Sequence, residues 1–140
     1  MEPINIDSPD LKTMIADYME NGFLENIIDM FKHNKSLYMH IGDLMTDGRV
    51  RVRLGISALI ETLKVEDLEN ISKAIPYILP LLKNQNPVLR GDAAYLLGVI
   101  GHKDAIPFLR EMESDENHDV RVIAKEAIEE IKIANMRWER

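Results

Sequence analysis

Ala74-Ile75-Pro76-Tyr77-Ile78 and Ala105-Ile106-Pro107-Phe108-Leu109 stand 31 positions apart, identical in their first three residues and conservative in the next two. The same shift aligns the residues downstream of each copy. Leu89-Arg90 falls on Val120-Arg121, Ala93 on Ala124, Leu96-Leu97 on Ala127-Ile128 and Ile100 on Ile131. Self-similarity at a fixed period is the signature of a repeated supersecondary unit. A third copy of the arginine-bearing segment lies upstream at a shift of 37, with Val52-Arg53, Ile56, Leu59, Ile60 and Leu63 in the corresponding places. About six extra residues between Lys64 and Ile71 account for the longer spacing.

Outward from these copies, apolar residues recur at three- and four-residue spacing and no run alternates strictly, so the pattern predicts an all-α chain. The repeats predict helices over 49–64, 72–83, 87–100, 103–114 and 119–137, the fourth capped by Asp104. Pro107, and by the same register Pro76, then falls in a first turn, where its missing N–H breaks no internal bond. Pro80 has no such place and is expected to bend its helix. Gly98 and Gly101 suit close packing and a positive φ respectively. Leu96, Leu97, Ile100, Ile75, Ile78, Ile106 and Leu109 are the expected core, and Tyr77 and Phe108, at matched positions, read as core as well.

Residues 1–46 fit the pattern poorly and are expected to form atypical capping helices, continuous with the repeats of 47–140. Ser8, Pro9 and Asp10 supply a helix start. Leu11, Met14, Ile15 and Tyr18 make one stripe, closed by Asn21-Gly22. A second helix over 23–32 should bury Phe23, Leu24, Ile27, Ile28 and Phe31. A third, over 35–45 through Leu37, Ile41 and Leu44, should end at Asp47-Gly48.

Charge narrows the classes of ligand. Of a formal net charge of −7, the stretch 1–31 holds seven acidic residues against Lys12 alone, and 111–130 holds eight against Arg121 and Lys125. Phosphate neutralisation by clustered Lys and Arg dominates nucleic-acid affinity, and two acidic stretches oppose it. Arg49, Arg51 and Arg53 are the one dense basic group, yet on a helix Arg51 points away from the face that Arg49 and Arg53 share. No nucleic-acid partner is expected. No apolar run reaches the roughly 18 residues of a membrane span. The absence of cysteine removes disulfides, thiolate metal sites and cysteine nucleophiles. With no signal-peptide pattern at Met1–Asp10, the expected location is the cytoplasm.

Asn86-Pro87-Val88-Leu89-Arg90, then Ala93-Ala94, then Leu97-Gly98-Val99-Ile100-Gly101, resembles the short HEAT repeat of the phycocyanobilin-lyase type. The resemblance covers 47–138 and implies a right-handed α-α superhelix, a solenoid of stacked antiparallel helix pairs. HEAT units carry an acidic or amide residue six positions before an arginine, and here Asp47 precedes Arg53, Asn84 precedes Arg90 and Asp115 precedes Arg121. The resemblance implies that these six residues form a structural ladder between neighbouring units, since a guanidinium fork can bridge oxygens of successive turns.

Catalysis finds little support in these residues. Deoxyhypusine hydroxylases, HEAT relatives, place metal-binding His-Glu pairs just after the repeat arginine; here those places hold Leu54-Gly55, Gly91-Asp92 and Val122-Ile123. His33 and His40, and His102 and His118, lack the four-residue spacing of a helical zinc pair. Neither a metal nor a cofactor is expected. A bilin lyase would need a deep apolar cleft with convergent polar groups, and a HEAT-like DNA glycosylase a basic track with aromatics to hold a base.

The expected function is a non-catalytic scaffold or adaptor that binds another protein; the alternative is a bilin-lyase-like accessory protein handling a tetrapyrrole or its carrier. In the HEAT family the second helix of each pair lines the concave side, which assigns Leu79, Pro80 and Lys83, with Arg110, Glu111 and Ser114 at the matching positions, to the candidate partner-binding groove. The last helix offers a second surface. Ala124, Ala127, Ile128, Ile131, Asn135 and Trp138 face the repeats, while Val122, Ile133 and Met136 add apolar surface away from them, consistent with a homodimer through this helix.

Overall fold

The computed structural model describes residues 11–138, and side chains as far as Met136. The start signal of Ser8, Pro9 and Asp10 and the side chain of Trp138 lie outside the described residues. Every described element is helical. α1 (Leu11–Glu20) and α2 (Leu24–His33) form a hairpin closed by Gly22 at φ 88°. Phe23 departs from expectation: it precedes α2, is 52% exposed, and lays its ring edge-on against Tyr18.

A 3-10 turn at Lys35–His40 leads into α3 (Ile41–Met45), and Asn34 Oδ1 accepts from the Ser36 N–H. Gly48, at φ 48°, turns the chain into α4 (Val50–Glu66). The first helix pair then closes through a 3-10 turn (Ile71–Ala74), α5 (Ile75–Ile78) and a second 3-10 turn (Leu79–Lys83). Pro80 is the cause of that last break, since it withholds an N–H and its ring crowds the carbonyl four residues back.

The next unit is α6 (Pro87–Ile100), a 3-10 turn (Lys103–Ala105), α7 (Ile106–Glu111) and a further 3-10 turn (Met112–Ser114); α8 (His118–Trp138) comes last. Asn86 caps α6 by accepting from the Val88 N–H, and Gly101 ends it at φ 79°. The cap of the Lys103 turn is His102, whose Nδ1 accepts from the Asp104 N–H, rather than Asp104 itself.

The two five-residue copies occupy matched environments. Ala74 and Ala105 are buried, Ile75 and Ile106 are half-buried, and Ile78 and Leu109 are fully buried. Tyr77 and Phe108 correct the expectation of core: they are 42% and 44% exposed, in register with each other. Only one side of each short helix can reach the core, and Ile78 and Leu109 take it.

Side by side, α4, α6 and α8 bring Val52, Ile56, Leu59, Ile60 and Leu63 together with Ala93, Leu96, Leu97, Ile100, Ala124, Ala127, Ile128 and Ile131 in one continuous core. The fold is an all-α, HEAT-like solenoid. Contact between α6 and α8 is closest at Gly98, where a Cβ would lie 2.9 Å from Cα and Cβ of Ala127. Against α4, Gly55 admits the side chain of Met19 from α1, so the N-terminal hairpin covers the outer side of the first repeat helix.

The inserted segment between α4 and Ile71 ties the N-terminal helices to the repeats. Asp67, just past α4, is 9% exposed, and its carboxylate accepts from Lys35 Nζ at 3.0 Å, the Tyr38 hydroxyl at 2.8 Å and Asn70 Nδ2 at 2.9 Å. Burial alone raises a carboxyl pKa, but these donors, with the Lys35 charge, outweigh it and hold Asp67 below its ordinary value. The Tyr38 hydroxyl is pushed up by its own burial and then by its bond to Asp67.

Candidate functional site

The arginines of the three repeat helices reach across the stack in different ways. Arg90 is buried, and four of its five guanidinium donors are used: Nη1 donates to the carbonyl oxygens of Asn84 and Gln85, while Nε and Nη2 donate to the two carboxylate oxygens of Asp115 at 2.9 Å each. Asp115 also accepts from the Asn117 N–H with its side chain, and its own carbonyl accepts from Arg121 Nη1 at 2.7 Å. Asp115 therefore joins Arg90 of one unit to Arg121 of the next. The Arg90 guanidinium lowers the Asp115 pKa, and Asp115 raises that of Arg90.

Arg53 behaves differently from the spacing-based expectation. Its Nε and Nη2 grip Asp92 of α6 at 2.6 and 2.9 Å, on the open side of the stack. Asp47 is held instead by Arg49, through Nε at 2.8 Å and Nη2 at 3.1 Å, and Arg49 Nη1 reaches Asp17 of α1. The Gly48 turn folds Arg49 back on Asp47, whose carboxylate is satisfied without Arg53. Among the described residues Arg51 meets only the Glu20 carbonyl, at 3.4 Å, so no two of the three clustered arginines share a partner.

The ends of the repeat helices are also cross-linked. The Ile100 carbonyl accepts from Lys64 Nζ of the preceding unit, and the Gly101 carbonyl accepts from Asn135 Nδ2 of α8 at 3.2 Å. Orphan carbonyls at a helix C-terminus need such donors. Burial lowers the Lys64 pKa.

Between α6, α8 and the end of α4 runs a cleft of about 540 Å³. Gly98, Val99, Ala127 and Ala134 give it an apolar floor, Ile123 closes one end, and Tyr95, Lys64, Glu126 and Glu130 stand at its edges. A smaller hollow of about 200 Å³ continues past Ile123 to Val88, Asp92 and Asp119. Small residues create the space: the same approach that demands Gly98 leaves no side chain to fill the seam between the two helices.

None of Leu79, Pro80, Lys83, Arg110, Glu111 and Ser114 lines this cleft or its continuation. They lie on the short-helix side, where Leu79 is half-buried and Pro80, Lys83, Arg110, Glu111 and Ser114 are exposed. Sequence reasoning passed over Tyr95, Val99, Glu126 and Glu130, although the shift of 31 already places Tyr95 against Glu126 and Val99 against Glu130. Away from the repeats, Val122, Ile133 and Met136 of α8 are exposed, as expected.

Among the described residues no group of three or more His, Asp or Glu is arranged to hold a metal ion, and no helix is long and apolar enough to cross a membrane. A stacked helical array with an arginine-linked seam and an open cleft is the architecture of a repeat protein. The family model of HEAT repeats matches residues 42–132, and the chain belongs to that family. HEAT repeats commonly serve as protein-interaction scaffolds. No curated protein matches the chain.

Proposed function

We propose that this chain is a non-catalytic scaffold that binds another protein on the face carried by α4, α6 and α8. The observation that carries the reading is the cleft of about 540 Å³, within the range of volumes that concave binding sites occupy. Its floor is apolar, and Tyr95 beside it is 45% exposed although Tyr is a preferred anchor of interfaces. The six residues Asp47, Arg53, Asn84, Arg90, Asp115 and Arg121 act structurally, Arg53 and Arg90 by tying neighbouring units together and Asp47 by anchoring Arg49 at the start of α4. The partner is neither nucleic acid nor membrane, the working location is the cytoplasm, and no cofactor takes part. The phycocyanobilin-lyase-type subclass rests on the motif from Asn86 to Gly101.

A second reading is favoured by the exposed, matched pair Tyr77 and Phe108: the partner lies instead on the short helices, over Leu79, Pro80, Lys83, Arg110, Glu111 and Ser114. A photo-crosslinking p-benzoylphenylalanine in place of Tyr95, and separately in place of Phe108, separates the two in native extract. Capture of one polypeptide from position 95 only supports the first reading. Capture from position 108 only transfers the site to the short helices, and a coloured tetrapyrrole co-purifying with the chain would replace both with the bilin-handling alternative.

A further inference from the structure

Glu126 and Glu130 stand one turn apart on α8, at the edge of the cleft between α6 and α8. Residues four apart share a helix face, so both carboxylates look over the same opening. In the preceding unit the same register positions hold Tyr95 and Val99. The repeat thus changes from uncharged to acidic at the two places that border the cleft. Four other carboxylates along the stack are matched to cations: Asp92 to Arg53, Asp115 to Arg90, Glu66 to Lys32 and Asp67 to Lys35. Among the described residues neither Glu126 nor Glu130 lies within salt-bridge distance of a Lys, Arg or His. The lysine that lines the cleft, Lys64, donates to the Ile100 carbonyl, and the Tyr95 hydroxyl donates to Glu61 of α4.

We infer that the α6–α8 cleft receives a polypeptide segment presenting an arginine or lysine beside an apolar residue, the cation between Glu126 and Glu130 and the apolar side chain over Gly98, Val99 and Ala127. The inference rests on the reading of this face as the docking surface and adds the chemistry of its occupant. Charge complementarity selects the cation, and a planar guanidinium can engage two carboxylates spaced one turn apart. The small residues of the floor keep it low between Tyr95 on one side and Glu126 and Glu130 on the other, so a single apolar side chain can lie over Val99 and Ala127. The outer side of α8 is unsuited to extending the stack. The positions that in α6 are Gly91, Ala94 and Gly98, small enough to admit α8, are in α8 Val122, Lys125 and Glu129. That leaves the cleft as the open approach to the two helices.

The test is selection from a random peptide display library against the full chain, then fluorescence anisotropy of the enriched peptides. Three variants are compared: Glu126→Gln with Glu130→Gln, Val99→Arg, and Lys83→Glu with Arg110→Glu. Each is first checked for an unchanged melting curve. Peptides enriched in Arg or Lys next to an apolar residue are expected. Their affinity should fall about tenfold in the first variant, equivalent to about 1.4 kcal/mol, and should fall at least as far in the second. It should be unchanged in the third, and weaken with added salt. Enriched peptides without a basic residue, or affinity indifferent to the Glu126 and Glu130 changes but lost in Val99→Arg, would overturn the cationic occupant and leave the docking face standing. Binding lost only in the third variant would overturn both. A homodimer dispersed by the Glu126 and Glu130 changes would put a second copy of the chain in the cleft and equally overturn the inference.

Discussion

The guanidinium of Arg90 and the carboxylate of Asp115, 25 residues apart in the chain, are joined by two parallel bonds of 2.9 Å and are both about nine-tenths shielded from water. Such a pair is costly to break from one side, because the surviving charge stays buried without a counter-charge. Arg90→Ala is therefore expected to lower unfolding free energy by about 3–5 kcal/mol, read from urea denaturation. Arg121→Ala loses one bond to the Asp115 carbonyl at a half-buried site, and about 1–2 kcal/mol is expected. Equal losses at the two positions would contradict the asymmetry of the seam.

Gly98 and Gly91 predict opposite outcomes from the same substitution. Replacing a mid-helix glycine by alanine gains up to about 1 kcal/mol in helix propensity. At Gly91 the new Cβ meets only Cδ1 of Ile123 at 3.2 Å, the movable end of a side chain, so Gly91→Ala is expected to be neutral or slightly stabilising. At Gly98 it meets the backbone Cα of Ala127 at 2.9 Å. Prising α6 from α8 should cost about 1–3 kcal/mol, which exceeds the propensity gain. Thermal melts of the two variants check the contrast.

The matched aromatics test which side of each short helix is inside. Ile78→Ala and Leu109→Ala remove fully buried side chains and are expected to cost about 2–5 kcal/mol each. Tyr77→Ser and Phe108→Ser, one residue earlier at exposed positions, should stay within about 0.5 kcal/mol of the parent. A large loss at either aromatic, seen by denaturant titration, would mean that it is buried after all.

Acid should loosen the seams. The native pKa values of Asp67 and Asp115 are held below the ordinary carboxyl value, for Asp67 by its three donors and for Asp115 foremost by Arg90. A depressed native pKa contributes stability that is fully present above the unfolded value and is lost as pH falls through the native one. Unfolding free energy should thus decline below about pH 4. In Asp67→Asn that decline should be shallower, starting from a lower value at neutral pH. Tyr38→Phe removes one donor to Asp67 and should cost about 1–3 kcal/mol at neutral pH, so that acid unfolding begins from a smaller reserve.

The repeated helices were legible in the sequence because each copy must bury the same stripe against its neighbours: Ala74 with Ala105 and Ile78 with Leu109 show that constraint directly. Gly101 and Pro80 were legible for local reasons, a positive φ and a missing donor. The cleft was not, because it exists only through the approach of Gly98 to Ala127, and depth between helices leaves no period in a chain. Asp67 and Tyr38 escaped notice for a related reason: they lie 29 residues apart in segments that belong to no repeat. The partner of Arg53 was not legible, since its spacing to Asp47 says nothing of Arg49, which takes that carboxylate, or of Asp92 on α6, which Arg53 bonds instead.

Both the fold and its cleft depend on α6 and α8 being neighbouring copies of one unit, packed with their backbones nearly touching at Gly98 and Ala127. Nuclear Overhauser spectroscopy on the full chain, with the Ala methyl groups labelled, measures that contact without altering it. A strong cross-peak between the Gly98 Hα protons and the Ala127 methyl is predicted. Its absence, with the Ala127 methyl instead close to protons outside α6, would contradict the stacked-repeat fold and the cleft built on it.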